Sequence, residues 1–179
     1  MIVKDDKTLR TKITENWSFE NPPIDTDKFK DELIEAMWKH SGLGVSANQI
    51  GYSYRVFAMR GETKKESVVC FNPEIKDFSP EMNTMEEGCL SLPDVFAKVV
   101  RPEHVAISYH NSDGVEEGQL ASGLTARVFQ HELDHLDGIL FIDRIGELTK
   151  NRAFDKARKI QKFRARGKPK YQYSTKFAL

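Results

Sequence analysis

Cysteine is scarce in this chain, with Cys70 and Cys89 the two thiols in 179 residues. So few thiols, with no export signal, exclude a disulfide framework and read as reduced residues. Cys70, within Val68-Val69-Cys70-Phe71, reads as a small apolar core residue. No run approaches the roughly 20 apolar residues that a bilayer-spanning helix needs, so no membrane partner is expected. The opening MIVKDDKTLR lacks the apolar stretch of a secretory signal, and its acidic residues argue against a transit peptide. A cytoplasmic location is the resulting expectation. Histidine is also sparse: there are five, and none follows His135.

Net charge is absent in total but not locally. Residues 1–149 carry 16 Lys and Arg against 26 Asp and Glu, whereas residues 150–179 carry 11 against one. An acidic body therefore precedes a basic end. Hydrophobic residues at 39% and charged residues at 30% argue against global disorder. With no repeat and no low-complexity linker, one domain is expected over 1–166, including a basic helix over about 149–166, followed by a tail over 167–179.

Periodicity predicts a helix from Asp27 to His40, with Phe29, Leu33 and Met37 on one stripe, Thr26 as its cap and Gly42 after its end. Residues 42–49 are too glycine-rich at their start for a regular element. Strands are expected at Arg55–Met59 and Ser67–Phe71, the second stopped by Asn72-Pro73, and through Val105, Ile107 and Tyr109. Asn111-Ser112-Asp113-Gly114 supplies a hairpin turn. A second helix is expected from Gly123 to about Asp137, closed by Gly138, and a third over Thr149–Arg166 with Phe154, Ala157 and Ile160 on one stripe. Strands and helices that do not alternate one for one imply an α+β fold.

The strongest local pattern is His131-Glu132-Leu133-Asp134-His135, an H-E-x-x-H sequence. On a helix, residues four apart share a face, so both imidazoles reach one ion while Glu132 lies beside them to handle a proton. Two histidines do not complete a catalytic site, which needs about three protein ligands and an open position. Downstream the candidates are Asp137, Asp143 and Glu147, of which Asp137 is poorly placed; upstream Cys89 follows Gly88, which lets backbone approach closely. A zinc peptidase with another third ligand stays open at this point.

Glu87-Gly88-Cys89-Leu90-Ser91 resembles the E-G-C-L-S motif of peptide deformylases, Gln130–His135 their Q-H-E-x-D-H helix, and Gly42–Gln49 their G-x-G-x-A-A-x-Q loop. The resemblance covers about Asp5 to Phe163 and implies antiparallel sheets packed around a central metal-binding helix, with a C-terminal helix. It implies Cys89, His131 and His135 as metal ligands, Glu132 as acid and base, and Gln49 with the Leu90 amide as oxyanion donors. Glu87 and Arg101 are implied as a pair bracing the Cys89 loop. Leu43, Gly44 and Gly88 are implied to bind substrate backbone, and Leu43 and Leu124 to face the methionine side chain. The implied reaction is hydrolysis of the formyl group from formyl-methionyl nascent peptides, releasing formate. The implied ion is Fe²⁺, at a site whose donors also suit Zn²⁺, Ni²⁺ or Co²⁺.

The chain departs from the family pattern at several positions. Arg127 stands where an apolar residue usually lines the methionine pocket, so it is expected either to run along the pocket rim or to alter specificity. Ser46 replaces a usual alanine, Asn48 a usual apolar residue, and Phe96 a frequent basic one. The ten Lys and Arg of residues 150–170 leave two readings open, electrostatic contact with ribosomal RNA or a solvated basic helix folded back on the acidic body. A ribosome-binding relative without activity is the remaining rival, against which the intact ligand set speaks.

Overall fold

The computed structural model describes residues 1–166, so the expected tail over 167–179 lies outside the described residues. A short helix α1 (Asp6–Leu9) is capped by Asp5, whose carboxylate accepts from the Thr8 amide at 2.8 Å. Helix α2 (Thr26–Lys39) starts one residue earlier than the periodicity predicts. Its cap is therefore Asp25, which accepts from Lys28 N at 2.8 Å, and Thr26 is the first helical residue. At the other end Ser41, not Gly42, takes the left-handed position, with φ of 56°.

Five strands form an antiparallel sheet in the order β1 (Gly44–Ser46), β2 (Val56–Met59), β3 (Val68–Phe78), β6 (His104–His110) and β7 (Glu116–Ser122). The pleat sends Val56, Ala58, Val69 and Phe71 into one core with Phe29, Leu33 and Met37 of α2. It sends Phe57, Met59 and Cys70 into a second core on the opposite face, with Val128, Phe129 and Leu136. Cys70 is fully buried there. Helices cover both faces of β2, which is why all four of its residues are buried.

Strand β3 runs through Asn72-Pro73 instead of stopping there. Asn72 sits at φ of 50° and its side chain binds the Trp17 backbone in both directions, accepting from N at 2.7 Å and donating to O at 3.0 Å. The register with β6 shifts between Phe71 and Glu74, so the expected stop is a bulge that takes proline out of the ladder. The β6–β7 turn is as expected, with Asn111 Oδ1 accepting from Asp113 N and Val115 N. The segment expected to be irregular contains β1 and a 3-10 turn over Ala47–Ile50.

A second sheet, the hairpin β4 (Met82–Cys89) with β5 (Leu92–Pro102), was not expected from sequence. Helix α3 (Gly123–Leu136) packs on β1, β2 and β7 of the first sheet, and its Arg127 bonds the hairpin carbonyls of Asn83 and Val99. On the sheet side Phe129 meets Phe57 edge-on at 5.0 Å. Helix α4 (Glu147–Ala165) starts two residues before the expected position and buries Ala153 and Ala157 in a third core with Val95, Ala97 and Val99 of β5. The fold is α+β with antiparallel sheets about a central helix. No described helix is long and apolar enough to cross a membrane.

Candidate active site

Ten of the fourteen residues of α3 are buried, and among them Arg127, Gln130, His131, Glu132, Asp134 and His135 are polar. Burying so many polar groups is costly unless each is partnered, so the partners define the site. The two histidines project together, one helical turn apart, with ring centroids 4.9 Å from each other. The hairpin brings Cys89 to them at the end of β4, where the register breaks after Gly88. A Cβ on Gly88 would lie 2.4 Å from the Phe96 ring, so the glycine lets the strand close on its partner.

The ligand atoms of Cys89, His131 and His135 all lie within 4.8 Å of one another, and Cys89 Sγ is 3.2 Å from His135 Nε2. All three residues are buried. His131 Nε2 has no hydrogen-bond partner among the described residues. One soft sulfur and two imidazole nitrogens, close together with an orphaned nitrogen aimed among them, fit a divalent transition metal. Burial alone would push the Cys89 thiol up, but His135 and His131 outweigh it and hold the thiol well below its ordinary range. The thiolate is the form that binds metal. Burial lowers the His131 pKa, but contact with Cys89 and Glu87 outweighs it and brings the value up to about 10 without an ion; a metal competes with that proton.

Glu87 fixes the orientation of His131. Its Oε2 lies 2.9 Å from His131 Nδ1, so a proton on Nδ1 leaves the Nε2 lone pair toward the cysteine. Arg101 grips the same carboxylate with two bonds of 2.7 and 2.9 Å and reaches Asp134 at 2.6 Å. The Glu87–Arg101 pair is thus buried and bidentate. Burial raises the Glu87 pKa, but the bonds from Arg101 and His131 prevail and hold it far below the usual carboxylate range.

Arg127 is not on a pocket rim. It is 2% exposed, and its guanidinium donates to Glu87 Oε1 at 2.8 Å, Val99 O at 3.0 Å and Asn83 O at 2.8 Å. The physical reason is charge: a buried guanidinium needs a carboxylate and several acceptors, and the hairpin side of α3 supplies them. Leu124, in the first turn of α3, is exposed, while Leu43 is half-buried against the second core. Phe96 is half-buried over Gly88.

Glu132 is fully buried. Its Oε2 accepts from Ser46 Oγ at 2.5 Å, and its Oε1 has no partner among the described residues. Desolvation is the main cause of its raised pKa, opposed by His131 and His135. Gly44 lies against this carboxylate; a Cβ there would be 2.4 Å from Oε1. Gln49 is buried in the 3-10 turn, and its Oε1 accepts from Ser46 N at 2.9 Å. That bond turns the amide nitrogen toward Cys89 Sγ at 3.4 Å and Ser91 Oγ at 3.2 Å. Leu90 lies in the turn joining β4 to β5, its side chain packed over Gly42.

Sequence reasoning missed Asp134 and Arg144 as part of the brace. Asp134, on the same helix as His131 and His135, binds Arg101 and Arg144 together. The available signal was an acid inside the H-E-x-x-H stretch, one helical turn from Gln130 and His131.

A thiolate and two imidazoles converging beside a buried carboxylate define a metal-centre class suited to hydrolysis. The chain belongs to the polypeptide deformylase family, whose model matches residues 1–151, and it is an enzyme of that family. It is 38% identical over 140 residues to the peptide deformylase of Thermotoga petrophila, covering 76% of this chain and 84% of that one. The crystal structure of the Legionella pneumophila peptide deformylase superposes with a TM-score of 0.82 at 32% identity, covering 94% of this chain and 98% of that one. That of the Synechococcus elongatus enzyme, in complex with actinonin, gives 0.79 at 32% identity, covering 87% and 85%.

Proposed function

We propose that the protein hydrolyses the formyl group from the N-terminal formyl-methionine of newly synthesised proteins, yielding formate and a free amino terminus. The observation that carries this is the Cys89–His131–His135 group with the buried carboxylate of Glu132 beside it. A divalent cation held by those three residues, ferrous iron on the family resemblance, would supply a Lewis acid that makes water more acidic and the formyl carbonyl more electrophilic.

Glu132 takes a proton from water as the new C–O bond forms, and its raised pKa suits that task. It returns the proton to the amide nitrogen as the C–N bond breaks. The Gln49 amide and the backbone N–H of Leu90 stabilise negative charge on the formyl oxygen. Support for Gln49 is the bond from Ser46 N that directs its NH₂ group toward Cys89. Gly44 and Gly88, with Leu43, offer backbone for the substrate to pair along, and Leu43 and Leu124 receive the methionine side chain.

The outward face of α4 carries Arg152, Lys156, Lys159 and Lys162, all exposed. This supports contact of residues 150–170 with ribosomal RNA, of which 167–170 lie outside the described residues. Salt-sensitive co-sedimentation with ribosomes, lost on deleting residues 150–179, is expected; unchanged sedimentation of the truncated chain contradicts it.

The activity is tested by offering anaerobic, Fe²⁺-loaded protein a formyl-methionyl peptide. Formate release with the peptide otherwise intact is expected, whereas internal cleavage without formate favours a peptidase.

A further inference from the structure

Position 46 carries serine where the family resemblance implies alanine, and its hydroxyl meets the carboxylate of the candidate active site. Ser46 is fully buried. Its Oγ lies 2.5 Å from Glu132 Oε2 and 3.1 Å from the Glu132 carbonyl oxygen. The shorter distance is that of a charge-assisted O–H···O⁻ bond. Two residues on, Asn48 Nδ2 donates to His135 O at 2.7 Å, so the turn docks on α3 at both ends of the H-E-x-x-H segment. Opposite Ser46, Gly44 approaches Glu132 Oε1 so closely that a Cβ would lie 2.4 Å away.

A glutamate has three rotatable side-chain bonds, and a group that moves protons works only when held in reach of its partner. Packing against Gly44 limits where the carboxylate goes, but only a directional bond sets which oxygen points which way. We infer that Ser46 is a positioning residue for Glu132: its hydroxyl holds Oε2 and leaves Oε1 as the oxygen free to work on the substrate. This rests on the reading of Glu132 as the group that moves protons. Arg101 and Arg127 act on the candidate ligand His131 through Glu87, whereas the Ser46 hydroxyl bonds Glu132 and, among the described residues, no side chain of Cys89, His131 or His135.

The test compares full-length, metal-loaded wild type with Ser46→Ala and Ser46→Thr. The measurements are kcat and KM for formate release from a formyl-methionyl peptide, the absorption spectrum of the Co²⁺ forms, and the crystal structure of the Ala variant. Loss of one hydrogen bond to a charged group predicts that kcat falls about tenfold in Ser46→Ala. KM and the Co²⁺ spectrum stay those of wild type, the Glu132 carboxylate leaves its wild-type orientation, and Ser46→Thr keeps wild-type kcat. Wild-type kcat in the Ala variant overturns the assignment, as does a folded Thr variant as slow as the Ala one. A changed Co²⁺ spectrum also overturns it, because the hydroxyl would then support the ligands. Absence of formate release by the wild type is failure of the deformylase reading. The orientation of Glu132 in the Ala variant then decides this assignment, and an unmoved carboxylate overturns it.

Discussion

Arg127 Nη1 lies 2.8 Å from Glu87 Oε1, on the carboxylate whose other oxygen meets the candidate ligand His131. A helix residue that resemblance would put in a substrate pocket is instead part of the brace behind the ligand group. Arg127→Met takes a charged donor from Asn83 O and Val99 O and removes one guanidinium from Glu87. Loss of about 3 kcal/mol in urea unfolding is expected, with little change in KM for a formyl-methionyl peptide. A large rise in KM with unchanged stability contradicts this placement.

Glu87→Gln keeps the shape but weakens the acceptor for His131 Nδ1. Metal affinity is expected to fall about 10- to 100-fold, the usual cost of losing an outer partner of a ligand. Competition with a chromophoric chelator for Zn²⁺ measures it, and wild-type affinity argues against the brace.

Gly88→Ala puts a Cβ 2.4 Å from the Phe96 ring in the strand that delivers Cys89. Overpacking of this kind costs about 1–3 kcal/mol. Thermal unfolding should show the loss, and Phe96→Ala on the same chain should restore part of it.

Burial pushes the Asp143 carboxyl up, but the bond from Arg10 at 2.7 Å and that from the Leu140 amide at 2.9 Å bring it below its ordinary 3.8. A carboxylate lowered in the folded state stabilises the fold above its unfolded pKa. That stability is lost as pH falls through the folded value. Wild type is therefore expected to exceed Asp143→Asn in stability at pH 6, with the gap closing below 3.8. Urea midpoints across that range measure it; a gap independent of pH speaks against the carboxylate's role.

The parts of the fold legible in the sequence were those whose cause is local. The α2 stripe, the Asn111 turn and the pairing of His131 with His135 need only residue spacing along one element. Cys89 entered through the likeness of Glu87–Ser91 to the deformylase motif, because spacing along one element left the third ligand open. The hairpin holding Cys89 was not legible: β4 exposes Met82 and buries the charged Glu87, so its two faces do not separate polar from apolar, and Pro93 interrupts the start of β5 although Val95, Ala97 and Val99 alternate inward. Arg127 could not be oriented from its helix position because its acceptors lie 28 to 44 residues away. The Ser46–Glu132 bond spans 86 residues, and no local periodicity encodes it.

The most direct test pairs metal content with turnover in Glu132→Ala and Cys89→Ser beside the wild type, each prepared anaerobically with Fe²⁺. Formate release is expected from a wild type holding one ion per chain. Glu132→Ala should keep its ion but turn over at least about 100-fold more slowly, and Cys89→Ser should lose both ion and activity. Wild-type formate release by Glu132→Ala, or full metal retention and activity in Cys89→Ser, would contradict these roles.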